Sequence, residues 1–111
     1  MTAKISFHFN IEPEWEAAIR EGKKNIDVRE NAESYADVRK GDTIRYRSLE
    51  VIVKHIRAYP GLVDLIHHED YRRIVPGAKS ADEVLKKLLS IGLHEEPPHG
   101  VLAFEVEPII K

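Results

Sequence analysis

Eight consecutive residues, Gly22-Lys23-Lys24-Asn25-Ile26-Asp27-Val28-Arg29, concentrate the groups that could do chemistry. If Asn25–Arg29 is a strand, its period of two sends Asn25, Asp27 and Arg29 to one side and Ile26 and Val28 to the other. A carboxylate two residues from an arginine can hold the guanidinium as a fixed fork. That geometry suits a phosphate or a base edge better than a lysine does. On a solvated strand such a trio is ordinary; on a barrel strand with helices outside, it lines a cleft or the barrel mouth. Lys24, at the mouth of this strand, has two possible uses. Burial would lower its pKa and make it a base, whereas Asp27 beside it would keep it charged and suited to a phosphate or carbonyl. Were the chain an enzyme, Lys24 and Asp27 would be the catalytic candidates, with Thr43 a hydroxyl further along.

The charge around this stretch is uneven. Nine basic residues stand against six acidic ones from Lys23 to Arg57, a net +3, while the rest of the chain nets −5. An anionic partner is drawn to the first window if its charges share a face. Arg45, Arg47 and Lys54 form the expected phosphate-contacting stripe, joined by Lys23 within the motif. Aromatic residues among arginines suit single-stranded RNA, where a stacked base is worth ~1–3 kcal/mol. Tyr35, in the loop after the motif, is placed to contact a ligand. Tyr46 shares its strand face with Ile44, so a core role is at least as good a reading. Trp15 falls at helical spacing and is expected to pack on the core. Arg72-Arg73 reads as a small solvated patch. The six histidines include His67-His68 beside Glu69-Asp70, but none has metal-ligand spacing. No metal and no cofactor is expected. His8 reaches the cleft only if the first strand adjoins the motif strand.

The elements that must position these groups follow from periodicity and breakers. Lys4–Phe9 alternates, with Ile5, Phe7 and Phe9 on one face. Pro13 opens a helix that Gly22 stops. The motif strand follows, then an irregular polar stretch over 31–40 with a helical turn, and a Lys40-Gly41-Asp42 turn. Thr43–Arg47 and Leu49–Tyr59 read as strands, and Leu62–Glu69 as a helix between Pro-Gly breaks. Ser80-Ala81-Asp82-Glu83 is a capping box for a helix carrying Val84, Leu85, Leu88 and Leu89. Val101–Val106 is a final strand. Strands grouped mid-chain argue against βαβ units. The expected fold is α+β: a small mixed or antiparallel sheet of about five strands, curled into a barrel to manage its edges, with helices packed outside.

With 111 residues, 42% of them hydrophobic and 32% charged, the chain reads as one globular domain over 1–111. The absence of cysteine removes disulfide scaffolds, cysteine zinc sites and thiol nucleophiles. No apolar run approaches a membrane span and no apolar leader follows Met1, so the expectation is a cytoplasmic protein without a membrane partner. Glutamine is absent and asparagine scarce amid many charges, a pattern of heat adaptation. Monomer and homodimer both stay open.

The stretch from Gly22 to Arg29 resembles the signature of the ASCH family (activating signal cointegrator homology), whose pattern is Gly-x-Lys-x-x-Glu-x-Arg at the end of the first helix. Asp27 stands where that pattern has Glu. Lys40-Gly41-Asp42 resembles the family's turn before a strand, and Gly100-Val101-Leu102-Ala103-Phe104-Glu105 its closing strand. The likeness spans nearly the whole chain and is greatest to small single-domain archaeal members described as RNA-binding. It implies a PUA-like β-barrel of five to six strands with flanking helices and a cleft beside the motif. The partner it implies is RNA, or a nucleoside or nucleotide, with roles in translation or RNA modification. Some small members are amidohydrolases that deacetylate N4-acetylcytidine with a motif lysine, a threonine and a distant glutamate; others are described as nucleases. By position Lys24 matches that lysine and Asp27 takes the threonine's place. The distant glutamate has no counterpart near Ala78, and Glu69, Asp82 or Glu83 are the candidate substitutes.

Overall fold

The computed structural model describes residues 6–109. In chain order the elements are β1 (Ser6–His8), α1 (Pro13–Arg20), β2 (Ile26–Glu30), α2 (Glu33–Ala36), β3 (Thr43–Arg45), β4 (Glu50–Tyr59), α3 (Leu62–His68), α4 (Tyr71–Ile74), α5 (Ala81–Ser90) and β5 (Val101–Pro108). Each expected strand is present within a residue or two at most ends, β5 running further to Pro108. Lys4 and Ile5 of the expected first strand lie outside the described residues. The helical turn expected after the motif is α2, and α4 is an addition between the two longer helices.

The strands form one mixed sheet in the order β1-β3-β4-β5-β2, with β1 parallel to β3 and the other pairs antiparallel. The sheet curls into a half-barrel with helices packed outside, a small α+β domain consistent with a PUA-like fold. Two apolar clusters lie on its two faces. Inside the curl are Phe9, Ile44, Tyr46, Val51, Val53, Phe104 and Val106. Between sheet and helices are Ile26, Val28, Leu65, Ile74, Val84, Leu88 and Ala103. A β-bulge in β4 between Val53 and His55 reverses its alternation, so Ile56 resumes the inner face while Tyr59 joins the helix-side cluster. Among the described residues no helix is long and apolar enough to cross a membrane.

Two local devices aim the motif strand. At the end of α1, Lys23 N–H donates to Ala18 O at 2.9 Å and Gly22 N–H to Ile19 O at 3.0 Å, with Gly22 at φ +80°. This pairing satisfies the last helical carbonyls and throws the chain straight into β2. At α5, Ser80 Oγ accepts from Glu83 N–H at 3.1 Å as expected, but the Glu83 carboxylate accepts from Lys79 N–H rather than from the serine's.

Candidate functional site

β2 and β1 are the two ends of the sheet order, and the site lies at the seam between them. β2 turns Ile26 and Val28 toward the helices, which leaves Asp27 and Arg29 facing the inside of the curl. There Arg29 grips Asp27 with Nε to Oδ1 at 2.8 Å and Nη2 to Oδ2 at 3.1 Å. The Tyr46 hydroxyl donates to Asp27 Oδ2 at 2.6 Å, and Arg29 Nη2 also donates to Asn10 O, just past β1, at 2.6 Å. Arg29 thus spans the seam. Its guanidinium lies 4.9 Å from the Phe9 ring centre and 5.4 Å from that of Tyr35. Asp27 is only 3% exposed and accepts all three side-chain bonds, so its charge is matched where water is excluded. Burial works against the Arg29 charge, but Asp27 beside it more than offsets this and raises the arginine's pKa. Burial, then the Asp27 charge, pushes the Tyr46 hydroxyl well above its usual range.

Above this node is an open cleft of about 500 Å³. Asp27 and Arg29 lie on its floor, Trp15 from α1 and Tyr35 from α2 stand on its walls, and Ile91 and Leu93 come from the loop after α5. That loop is tied back to the end of β2, where Glu30 accepts from His94 N–H at 2.6 Å. The cleft offers two aromatic rings and a clamped guanidinium in one place.

Lys24 is not at the mouth of the strand, and it does not line the cleft. It is 1% exposed, and its ammonium donates to Ile26 O at 2.6 Å and Ile74 O at 2.5 Å, beneath the Trp15 ring at 4.4 Å. The cause is the turn after α1, which swings residue 24 under the helix before β2 begins. Burial lowers its pKa from 10.5 to about 8, Asp27 opposing and Arg29 adding to the shift. Asn25 also departs from the expected trio. It precedes β2, and its Oδ1 accepts from Arg73 Nε at 2.7 Å. Arg73 is therefore part of a network on the helix side, not a solvated patch.

The expected basic stripe does not join the cleft. Arg45, Arg47, Lys23 and Lys54 are exposed and none lines it. Lys23 pairs with Glu21 at 2.9 Å and Lys54 with Glu107 at 3.6 Å. His8 is exposed on β1, which neighbours β3 rather than β2. Of the predicted residues the structure brings together Asp27, Arg29 and Tyr35. Trp15 both packs on the helix-side cluster and faces the cleft. Tyr46 sits in the core as its alternation with Ile44 indicated, and its hydroxyl bonds Asp27. A buried tyrosine needs a partner for that group, a signal that could have found the bond.

The candidate acids for a lysine-assisted hydrolysis lie elsewhere. Glu69 is held by Arg57 at 2.6 and 2.9 Å and by the Tyr59 hydroxyl. Asp82 pairs with Lys86 at 3.2 Å, and Glu83 serves the helix cap. Among the described residues no group of three or more His, Asp or Glu side chains is arranged to hold a metal ion.

No family model and no curated protein matches the chain. Solved structures do. The crystal structure of the hypothetical protein PH0355 superposes with a TM-score of 0.87 at 30% identity, over 95% of this chain and 100% of that one. The solution structure of PF0455 from Pyrococcus furiosus gives a TM-score of 0.79 at 27% identity, over 96% and 100%. The chain belongs to the same family as PH0355.

Proposed function

We propose that this protein is an RNA-binding module of the ASCH and PUA-like kind, which takes an unstacked nucleobase of an RNA into the cleft beside Gly22–Arg29. One observation carries the reading: Arg29 is fixed by Asp27 and Asn10 O against the rings of Phe9 and Tyr35, on a cleft that Trp15 also lines. A flat base stacks on such rings, and a rigid guanidinium recognises its edge or an adjoining phosphate. The bonds to Asp27 and Asn10 use Nε and Nη2, and no hydrogen bond to a described residue uses Nη1, which is left for a ligand. Among the described residues the lining holds no serine or threonine hydroxyl, and its one buried carboxylate is engaged three times. Binding therefore fits this chemistry better than hydrolysis.

The amidohydrolase alternative gains from the Lys24 pKa of about 8, which leaves some neutral amine near neutral pH. Against it, the Lys24 nitrogen is turned to two backbone carbonyls. Acetate release from N4-acetylcytidine would favour that alternative.

Fluorescence anisotropy with a fluorescein-labelled, mixed-sequence RNA dodecamer tests the proposal. Tyr35→Ala is expected to weaken binding by roughly tenfold or more, the loss of one stacked base. Binding that Tyr35→Ala leaves unchanged, or no binding at low salt, would overturn it.

A further inference from the structure

The segment that gives Ala32 and Tyr35 to the motif cleft also walls a second groove, of about 460 Å³, with Asn31, Ala36, Val38, Arg39 and Lys40. α2 is thus a ridge with a groove on each flank. The opposite wall of the second groove comes from His55 and Ile56 of β4 and Leu102 of β5. Among the described residues no carboxylate lines it. Neither Arg39 nor Lys40 forms an ion pair with a described acid, unlike Lys23, Lys54, Arg57 and Arg73; Arg45 and Arg47 form none either, but they line no part of the groove.

The groove is held in shape by the Lys40-Gly41-Asp42 turn, which the motif cleft does not use. The buried Asp42 carboxylate accepts from Arg39 N–H at 2.8 Å, and Asp42 N–H donates to Arg39 O at 3.0 Å. Gly41 occupies the left-handed region at φ +93°, where a side chain would be strained. Its N–H donates to Val53 O at 2.8 Å, and Val53 N–H donates to Asp42 O at 2.9 Å. The turn is therefore fastened to β4 just before the bulge, after which His55 points outward. Arg39 Nη1 donates to Ala36 O at 3.1 Å, anchoring one nitrogen of the fork and leaving the others for a ligand.

We infer that this second groove takes phosphates of the RNA strand whose base enters the motif cleft, with the strand crossing the α2 ridge. The inference rests on the RNA reading above, and it moves the phosphate contacts from Arg45, Arg47 and Lys54 to Arg39 and Lys40. An anion here meets two cations and no competing carboxylate, the condition under which phosphate contacts add affinity.

The test is the salt dependence of binding to the same labelled RNA dodecamer, for wild type, Arg39→Ala/Lys40→Ala, Arg45→Ala/Arg47→Ala and Tyr35→Ala. The four arginines and lysines are exposed, so thermal melts should show both double variants as stable as wild type, and a melt of Tyr35→Ala confirms that it is folded at the assay temperature. Losing two phosphate contacts is expected to flatten the slope of log affinity against log salt by roughly 1.4 and to weaken binding about tenfold or more near ~100 mM salt. Arg45→Ala/Arg47→Ala should match wild type, and Tyr35→Ala should lose affinity with the wild-type slope. If Arg39→Ala/Lys40→Ala binds as wild type while Tyr35→Ala is impaired, the groove is overturned and the RNA reading stands. A larger loss in Arg45→Ala/Arg47→Ala overturns the groove as well. If wild type does not bind, the RNA reading fails and takes the groove with it.

Discussion

Among the described residues, two partly buried arginine–carboxylate assemblies lie against the sheet, one on each face, and they differ in company. Inside the curl, Arg29 and Asp27 form a single ion pair, joined by the Tyr46 hydroxyl and Asn10 O, their side chains 15% and 4% exposed. On the helix side, Arg57 binds both Glu69 and Glu105, Arg73 binds Glu105 and Asn25, and the Tyr59 hydroxyl donates to Glu69. That second network balances two arginines with two glutamates and joins β4 and β5 to the residues around α3 and α4. Burial raises the Glu69 pKa, but the bonds from Arg57 and Tyr59 outweigh this and lower it. Its residues line neither the motif cleft nor the other large groove, and its geometry is that of a staple. The first assembly, with a single carboxylate and two aromatic walls, faces an open cleft. The same pair chemistry thus serves packing where every charge is answered within the protein and, on the reading proposed above, recognition where the guanidinium borders an open cleft.

Substitutions can break this contrast. Asp27→Ala strands a largely buried Arg29 and the Tyr46 hydroxyl, and is expected to cost about 3–5 kcal/mol in urea denaturation. Glu69→Ala should cost only roughly 1–2 kcal/mol, because Arg57 is a third exposed and keeps Glu105, and it should leave RNA binding unchanged. Equal costs, or RNA binding lost in Glu69→Ala, would remove the distinction.

Lys24 lies between the two assemblies, bonded to the end of α4 and backing Trp15, and its pH behaviour sharpens the contrast. Its folded pKa of about 8 is below its ordinary 10.5, so the folded protein releases this proton first as pH rises. The burial penalty is full below about pH 8 and gone above 10.5. Across that window wild type should therefore gain on Lys24→Met by roughly 3 kcal/mol. Denaturation curves for the two proteins that stay parallel with pH would show that the ammonium is not desolvated.

Much of the fold could be read from alternation, because each half-buried strand carries its own face in its sequence. Asp27 and Arg29 were readable for the same reason, being two apart on such a strand. Lys24 was not, since its burial depends on Ile74 O, fifty positions away and brought close only by helix packing. The stripe of Arg45, Arg47 and Lys54 looked continuous in sequence, but strand order places it away from the seam. Arg39 and Lys40 lay in an irregular loop with no period to give their direction. The bulge in β4 had no signal either, yet it decides which face Arg57 and Tyr59 occupy.

The central claim is that a base enters the cleft between Trp15 and Tyr35. Trp15 is the only tryptophan in the chain, so its emission reports on that wall alone. Titration with the unlabelled RNA dodecamer is predicted to quench Trp15 saturably, with a midpoint that matches anisotropy and shifts to weaker binding with added salt. RNA that binds by anisotropy while Trp15 emission stays unchanged would contradict the account and place the RNA elsewhere on the protein.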